Sequence, residues 1–350
     1  MVQYKRLEVR FITEHQLKIE MTPPKVSIIV ATYNQEGTIA RTLDSILAQE
    51  GDFDYEIIIG EDCSTDRTAE ICKEYATKYP QKIKLLLNNP NKGLLDNYFD
   101  CILAATGDYI ADCAGDDCWI DNRKLDKQCR ILDSDNSIVM VHTGWNYYNE
   151  STGATTPFQL NKSKYHQPVM EKGTLFLPVL RRDDAPIVHL CTAMYRRESF
   201  MKIYAEDHHL FRGKEFTCED LQVITALSRE GRIAYIPDIT LNYSISDHSI
   251  SSPKDAAKTF DYYLGTLRLT RYIQQKYHVS DKELNNYYRT DIHYIITRAF
   301  NSGDWQRCII GKNLAKEYGI TLKTKSRILT AISSIAIIRD IALNLKRALS

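Results

Sequence analysis

"VSIIVATYNQEGTIARTLDSILAQ" runs from Val26 to Gln49. It opens as an unbroken apolar run rich in β-branched residues, the pattern of a strand buried on both faces of a parallel sheet. Beyond Thr32-Tyr33-Asn34, the residues Ile39, Leu43, Ile46 and Leu47 recur at helical spacing. A buried strand therefore passes into a helix through a short polar loop. The next segments repeat the alternation. "YEIIIGED" (55–62), "KIKLLL" (82–87) and "GDYIADC" (107–113) read as strands, and "TAEICKEYATKY" (68–79) and "LLDNYFDCILAA" (94–105) as helices. Alternation at this spacing predicts βαβ units and an α/β fold with a mostly parallel sheet.

In such sheets ligands bind beyond the carboxyl ends of the strands. The polar clusters of this chain fall there: Thr32-Tyr33-Asn34 after the first strand, Glu61-Asp62 after the second, and Asp116-Asp117 shortly after the fourth. The last pair, inside "YIADCAGDDCWIDNRKLDKQ" (109–128), is the most demanding. Adjacent carboxylates repel each other, and each resists burial without a partner.

Further along, the pattern is mixed. "SIVMVHTGW" (137–145), "HLCTAMYRR" (189–197) and "RIAYIPD" (232–238) read as strands and "EDLQVITALSRE" (219–230) as a helix; from about residue 255 the chain reads as helical. Residues 1–24 alternate apolar and polar and stop at Pro23-Pro24, an extra strand or extended arm. The expected organisation is an arm over 1–24, an α/β domain over 25–250, and a C-terminal helical region over 251–350.

Of the 350 residues, 43% are hydrophobic and 26% charged, and the net charge is zero. That composition is globular, with no basic field to suggest a nucleic-acid partner and no acidic excess to suggest disorder. Nine cysteines without a CxxC pair fit a reduced, cytoplasmic chain that uses thiols as small core residues. A zinc site from Cys113, Cys118 and Cys129 is disfavoured because the usual short ligand spacing is missing. The charged N-terminus does not read as a signal peptide, and no apolar run approaches the roughly 18 residues of a membrane span. GxGxxG, GxxxxGK[ST] and GxSxG are all absent, which disfavours a dinucleotide-binding Rossmann site, a P-loop and a nucleophile elbow.

Five segments in order, "VSIIVATYNQEGTIARTLDSILAQ", "YEIIIGEDCSTDRT", "NKGLLDNYFDCI", "GDYIADCAGDDCW" and "CEDLQVITALSREGRIAYIPD", resemble the GT-A glycosyltransferases of family 2. The likeness covers roughly residues 25–250. It implies a GT-A fold, a Rossmann-like nucleotide-binding half followed here by C-terminal helices, and an inverting enzyme that uses a nucleotide-sugar donor. By that resemblance Thr32, Tyr33, Asn34 and Glu36 line the donor, Asp62 holds the base, usually uracil, and Lys92-Gly93 lies near the nucleotide. The residues alone also admit plainer roles: Asn34 or a neighbour as a helix cap, Asp66 in "STDRT" as a cap, and Lys92 as a solvated lysine.

The same resemblance gives Asp116 and Asp117 a task. Mn2+ or Mg2+ bridging carboxylate and diphosphate oxygens turns the acidic pair into a ligand set, with Asp116 also near the donor. Ala114 departs from the pattern, since the family commonly has an acid two positions before the first aspartate. In "FTCEDLQ" the pair Glu219-Asp220 matches the family's acidic pair, Asp220 as general base and Glu219 on the acceptor side. The alternative is a capping box with Thr217 as N-cap. Trp119 is either acceptor-side or core. His189 and His248 are late-site candidates, His248 as a metal or phosphate contact, and Ser244 stands where many relatives carry Arg.

Ile328, Ile332, Ile335, Ile338, Ala342, Leu345 and Leu349 repeat at helical spacing in a basic tail. Such a helix lies on an anionic membrane surface, or packs on the domain or a second subunit. The expected partners are a nucleotide-sugar and a glycan or lipid-linked glycan acceptor in surface polysaccharide synthesis, without nucleic acid, on the cytoplasmic side. The competing readings are a nucleotidyltransferase that makes a nucleotide-sugar, and a donor-binding protein impaired in catalysis by Ala114.

Overall fold

Val26, Ser27, Ile28, Ile29 and Val30 in strand β1 (Val26–Thr32) are all buried, so both faces of the sheet are covered here. Burying an aliphatic side chain of this size contributes about 1.5–3 kcal/mol. Ser27, the one polar residue in the run, is accommodated because its hydroxyl donates to Glu56 Oε1 at 2.7 Å. The computed structural model describes residues 26–158, 164–183, 186–245 and 255–335. The arm over 1–24, His248 and the tail beyond 335 lie outside the described residues.

After β1 come α1 (Ile39–Leu47), β2 (Tyr55–Glu61), α2 (Thr68–Lys78), β3 (Ile83–Leu87), α3 (Leu94–Ala104) and β4 (Tyr109–Asp112). Next are β5 (Cys118–Trp119), α4 (Lys124–Ser134), β6 (Ile138–Asn149), β7 (Thr155–Pro157), β8 (Val169–Met170) and α5 (Phe176–Arg181). A 3-10 turn (Leu190–Thr192) precedes β9 (Met194–Arg196), α6 (Arg197–Glu206), α7 (His208–Arg212), α8 (Glu219–Ser228) and β10 (Arg232–Ile245). Four helices follow: α9 (Ala256–Lys276), α10 (Asp281–Ser302), α11 (Trp305–Glu317) and α12 (Thr324–Ser333).

Among the described residues the sheet runs β3-β2-β1-β4-β9-β6-β10-β5, with β7 on β6 and β8 on β10. The half from β3 to β4 is parallel throughout, with Thr32 opposite Glu61 and Ile29 opposite Asp112. The strand order reverses beside β1, and a crevice opens at the carboxyl ends where it does. The other half is mixed: β9 runs antiparallel to β4 and β6, while β10 is parallel to β6. "HLCTAMYRR" departs from the expected strand. Thr192 turns back on His189, its N–H and hydroxyl both donating to His189 O at 2.9 and 2.6 Å, and only Met194–Arg196 pairs.

One face of the sheet packs on α1 and α4 through Ile39, Leu43, Ile46, Leu125 and Leu132. The other forms a continuous core with α3, α8 and the C-terminal helices, from Ile29 and Phe99 to Leu267, Ile292 and Ile296. Helix α9 passes close to the segment before α8, where a Cβ on Gly265 would collide with the Thr217 side chain. Helix α12 buries Ser326, Thr330 and Ser333 and leaves Ile328 55% exposed, so small polar residues, and not Ile328, face the protein. No helix among the described residues is long and apolar enough to cross a membrane.

Candidate active site

The loops after β1 and β2 are tied to each other. Asn34, in the left-handed region at φ 53°, donates its N–H to Ser64 Oγ at 2.9 Å and accepts the Thr65 N–H on Oδ1 at 2.8 Å. Glu36 donates its N–H to Asp66 Oδ2 at 3.1 Å, and its Oε2 accepts the Arg67 N–H at 2.9 Å. Asn34 thus serves the neighbouring loop and not the start of α1, whose N-cap is Thr38. Asp66 also accepts the Thr68 N–H at 2.9 Å, as its place before α2 suggests. Thr32 is buried with its hydroxyl on Gln35 Oε1 at 2.7 Å, and Tyr33 is 48% exposed on the rim.

Asp62 is buried and organises the third loop. Its Oδ1 accepts from Asn88 Nδ2 at 3.0 Å and from the Lys92 N–H at 2.8 Å, and its Oδ2 from the Gly93 N–H at 2.9 Å. Those bonds use most of the acceptor capacity of a carboxylate. The Lys92 ammonium pairs with Asp100 at 2.8 Å.

The acidic loop lies against this rim and against α1. A Cβ on Gly115 would collide with Thr32 Oγ1 and Gln35 Oε1, so only glycine allows the close approach. Thr38 Oγ1 donates to Gly115 O at 2.9 Å, Arg41 Nη2 to Asp116 O at 3.0 Å, and Thr42 Oγ1 to Asp117 O at 2.7 Å. Arg41 also pairs with Glu150 at 2.5 Å. The two aspartates have different surroundings. Asp116 keeps a partly exposed side chain, and burial raises its carboxyl above the ordinary range with Glu150 adding repulsion. Asp117 is fully buried, its Oδ1 accepting the Ser244 N–H at 3.0 Å; burial, then the Asp116 charge, pushes it well up.

Glu219 and Asp220 form the first turn of α8, where the helix dipole favours acids. Thr217 is not their cap: its hydroxyl donates to Tyr262 O in α9 at 2.8 Å, and the N-cap is Cys218. Asp220 is partly open to solvent yet closely flanked by protein, and burial pushes it up to about 7. Burial, then the neighbouring Asp220, raises Glu219 as well. The Asp220 charge bears on both Asp112 and Asp117, which places α8 beside the carboxyl ends of the strands.

Asp112, inside "YIADC", was not singled out from the sequence because it belongs to no motif. It ends β4 with its Oδ1 accepting from Tyr98 Oη at 2.7 Å, Tyr98 Oη lies 3.1 Å from Tyr195 Oη, and burial lifts Asp112 to about 8. A carboxylate inside an apolar strand run is the signal that identifies it. Arg41 and Glu150 had no local signal, since their pairing depends on how β6 crosses the sheet. Trp119 is buried, with Nε1 donating to Cys191 O at 3.1 Å and the Lys124 ammonium 4.3 Å from the ring centroid. The structure therefore brings Thr32, Asp116, Glu219 and Asp220 to one edge, and sets Asp117, Trp119 and His189 beneath it.

Asp116 fits a hard divalent cation: it is an oxygen ligand, partly open and raised by burial, beside an arginine already paired with Glu150. Ala114 contributes a backbone N–H to Cys191 Sγ at 3.3 Å and no ligand.

A sequence profile described as Glycosyl transferase family 2 matches residues 27–204. An uncharacterized protein of Mycobacterium tuberculosis is 45% identical over 108 residues, 31% of this chain and 31% of that protein's own length. TuaG of Bacillus subtilis, whose name places it in teichuronic acid biosynthesis as a glycosyltransferase, is 29% identical over 252 residues, 70% of this chain and 90% of its own. Residues 1–349 of S. aureus TarS, solved in complex with UDP, share the fold at a TM-score of 0.57 and 19% identity, covering 93% of this chain and 92% of that one. The strand order and the flanking helices are the GT-A arrangement expected from the sequence.

Proposed function

Because the chain belongs to Glycosyl transferase family 2, we propose that it transfers a sugar, with inversion, from a nucleoside-diphosphate donor to a hydroxyl of a glycan or lipid-linked glycan. UDP is the favoured nucleotide, in keeping with the ligand of the TarS complex. Surface polysaccharide is the favoured product class, in keeping with the name of TuaG. The observation that carries this reading is the gathering of Asp116, Glu219 and Asp220 at the carboxyl edge of the sheet, with Asp220 raised to about 7.

The roles follow from chemistry. Thr32, Tyr33 and the Asp62-held turn at Lys92-Gly93 border the nucleotide, while Asn34 and Glu36 hold the rim that faces it. Asp116 holds Mn2+ or Mg2+, which when bound neutralises charge on the leaving diphosphate. The acceptor oxygen forms a bond to the anomeric carbon as the bond to the diphosphate oxygen breaks, and Asp220 takes the hydroxyl proton. A base with a pKa near neutral is half ionised at working pH and still strong enough to take that proton. Glu219 orients the acceptor. The exposed Ile328, with the basic residues Lys323, Lys325 and Arg327 nearby in sequence, suits a peripheral position on the cytoplasmic membrane face, where lipid-linked acceptors reside.

Calorimetry with UDP in the presence and absence of Mn2+, followed by a donor screen for slow hydrolysis, tests the reading. Heat that requires both nucleotide and cation, together with release of UDP from one donor, is the expected result. Pyrophosphate release from a nucleoside triphosphate would instead identify a nucleotidyltransferase, and binding without any hydrolysis a donor-binding protein.

A further inference from the structure

Beneath the acidic loop lies a second set of ligating groups that the transfer reaction leaves unused. Asp117, His189 and Cys191 are 0%, 8% and 8% exposed. A carboxylate oxygen, a ring nitrogen and the thiol sulfur of these three lie within 4.8 Å of one another. The loop after β4 supplies the first, and the 3-10 turn with the residue before it supplies the other two.

Each group has bonding capacity left. The Cys191 thiol hydrogen-bonds the Asp117 carboxyl, which otherwise leaves Oδ2 unpaired, and His189 Nδ1 is buried without a partner. Cys191 Sγ accepts one bond, from the Ala114 N–H at 3.3 Å. The His189 ring is held by aromatic neighbours, 4.2 Å from the Tyr243 centroid and 5.8 Å from that of Trp145. Leaving buried polar atoms unpaired is unfavourable, so the site gains from a ligand that satisfies them. The side-chain charges that bear on Asp117 are the carboxylates of Asp116 and Asp220, and both repel it.

We propose that Asp117, His189 and Cys191 form a buried site for a zinc-type divalent transition metal, distinct from the hard-cation position at Asp116. A mixed oxygen, nitrogen and sulfur set suits zinc, whereas Mg2+ and Mn2+ favour oxygen ligands. Closing from the observed spacing to bonds of about 2.0–2.3 Å needs a shift under ~1 Å per ligand. The charges also balance: a carboxylate, a thiolate and a neutral imidazole around a dication leave no net charge in the interior. Binding releases the Cys191 proton, and that of Asp117 where it carries one, to solvent. The metal clamps the acidic loop to the turn at 190–192 and, through the Ser244 amide, to β10, which fixes Asp116 from below.

The test reads the metal directly and needs neither donor nor turnover, so it is independent of the proposed transferase activity. The full chain, purified without a chelating tag, is assayed for bound zinc, then stripped and offered Co2+ both as native protein and during refolding. One metal per chain is expected, with a thiolate-to-cobalt charge-transfer band. Cys191→Ser should abolish the charge-transfer band. His189→Asn should weaken cobalt binding by at least the ~10-fold that an outer-shell partner is worth. Asp116→Asn should leave the spectrum unchanged, and circular dichroism checks that each variant is folded. The absence of a band under both loading conditions, its survival in Cys191→Ser, or its loss in folded Asp116→Asn would each overturn the proposal. The first of these would leave a neutral triad with protonated Asp117.

Discussion

The Ser244 N–H donates to Asp117 Oδ1 at 3.0 Å, joining the end of β10 to the acidic loop across the sheet. The Ser244 hydroxyl donates to Asp116 O at 2.5 Å, and Arg41 Nη2 approaches both that hydroxyl, at 3.2 Å, and Asp116 O, at 3.0 Å. The guanidinium that reaches Ser244 comes from α1, on the far side of the acidic loop.

Arg41→Ala should therefore destabilise the protein and loosen the acidic loop. The Arg41–Glu150 pair is 35% and 24% exposed, so solvent screening limits its worth. A loss of about 1–2 kcal/mol is expected, most of it from the lost hydrogen bonds to Asp116 O and Ser244 Oγ. Urea denaturation measures it. A double-mutant cycle with Glu150→Gln should return a coupling of roughly 0.5–1 kcal/mol; strict additivity would mean that the pair contributes nothing.

Asp220→Asn should lower kcat by about 10²–10⁴-fold while donor affinity changes little. Single-turnover transfer and calorimetry separate the two quantities. Equal losses in both would move Asp220 from proton acceptor to donor-binding group. With the wild type, kcat should rise with pH until about 7, where Asp220 loses its proton, and the rising limb should vanish in the variant.

Asp112 links stability to pH. Its ordinary value is 3.8 and burial lifts it to about 8, so between these values the folded chain holds a proton that the unfolded chain has released. Its contribution to stability is thus present at low pH and lost as pH rises through that window. Asp112→Asn keeps an acceptor for the Tyr98 hydroxyl and removes the titration. The Tm of the variant minus that of the wild type should become more positive between about pH 5 and pH 8. A difference independent of pH would show that Asp112 ionises normally.

Gly115→Ala places a methyl group against Thr32 and Gln35. The loop must shift outward, at a cost of about 1–3 kcal/mol. Nucleotide binding should weaken more than global stability falls, because the displaced segment carries Asp116, the proposed cation ligand. Thermal unfolding with and without UDP and Mn2+ compares the two effects.

The parallel half of the sheet was legible because its signal is local. Apolar runs such as Val26–Val30 and Ile57–Ile59 are buried on both sides and have no other reading. The positions of Asp116, Glu219 and Asp220 were legible through motif order. What failed to show was anything set by long-range geometry. "HLCTAMYRR" has strand composition, yet Thr192 closes a turn on His189 that local propensity does not reveal. Thr217 has the spacing of a cap, but α9 passes near enough to take its hydroxyl. The difference between Asp116 and Asp117, identical neighbours in the sequence, depends on a backbone amide contributed by residue 244.

The reciprocal bonds between the loops at Asn34–Glu36 and Ser64–Arg67 make the wall proposed to face the nucleotide a pre-set mould. A ligand arriving there meets a surface already ordered, so little conformational entropy is lost on that side when it docks. Discrimination among bases then depends on shape and on the few acceptors still open.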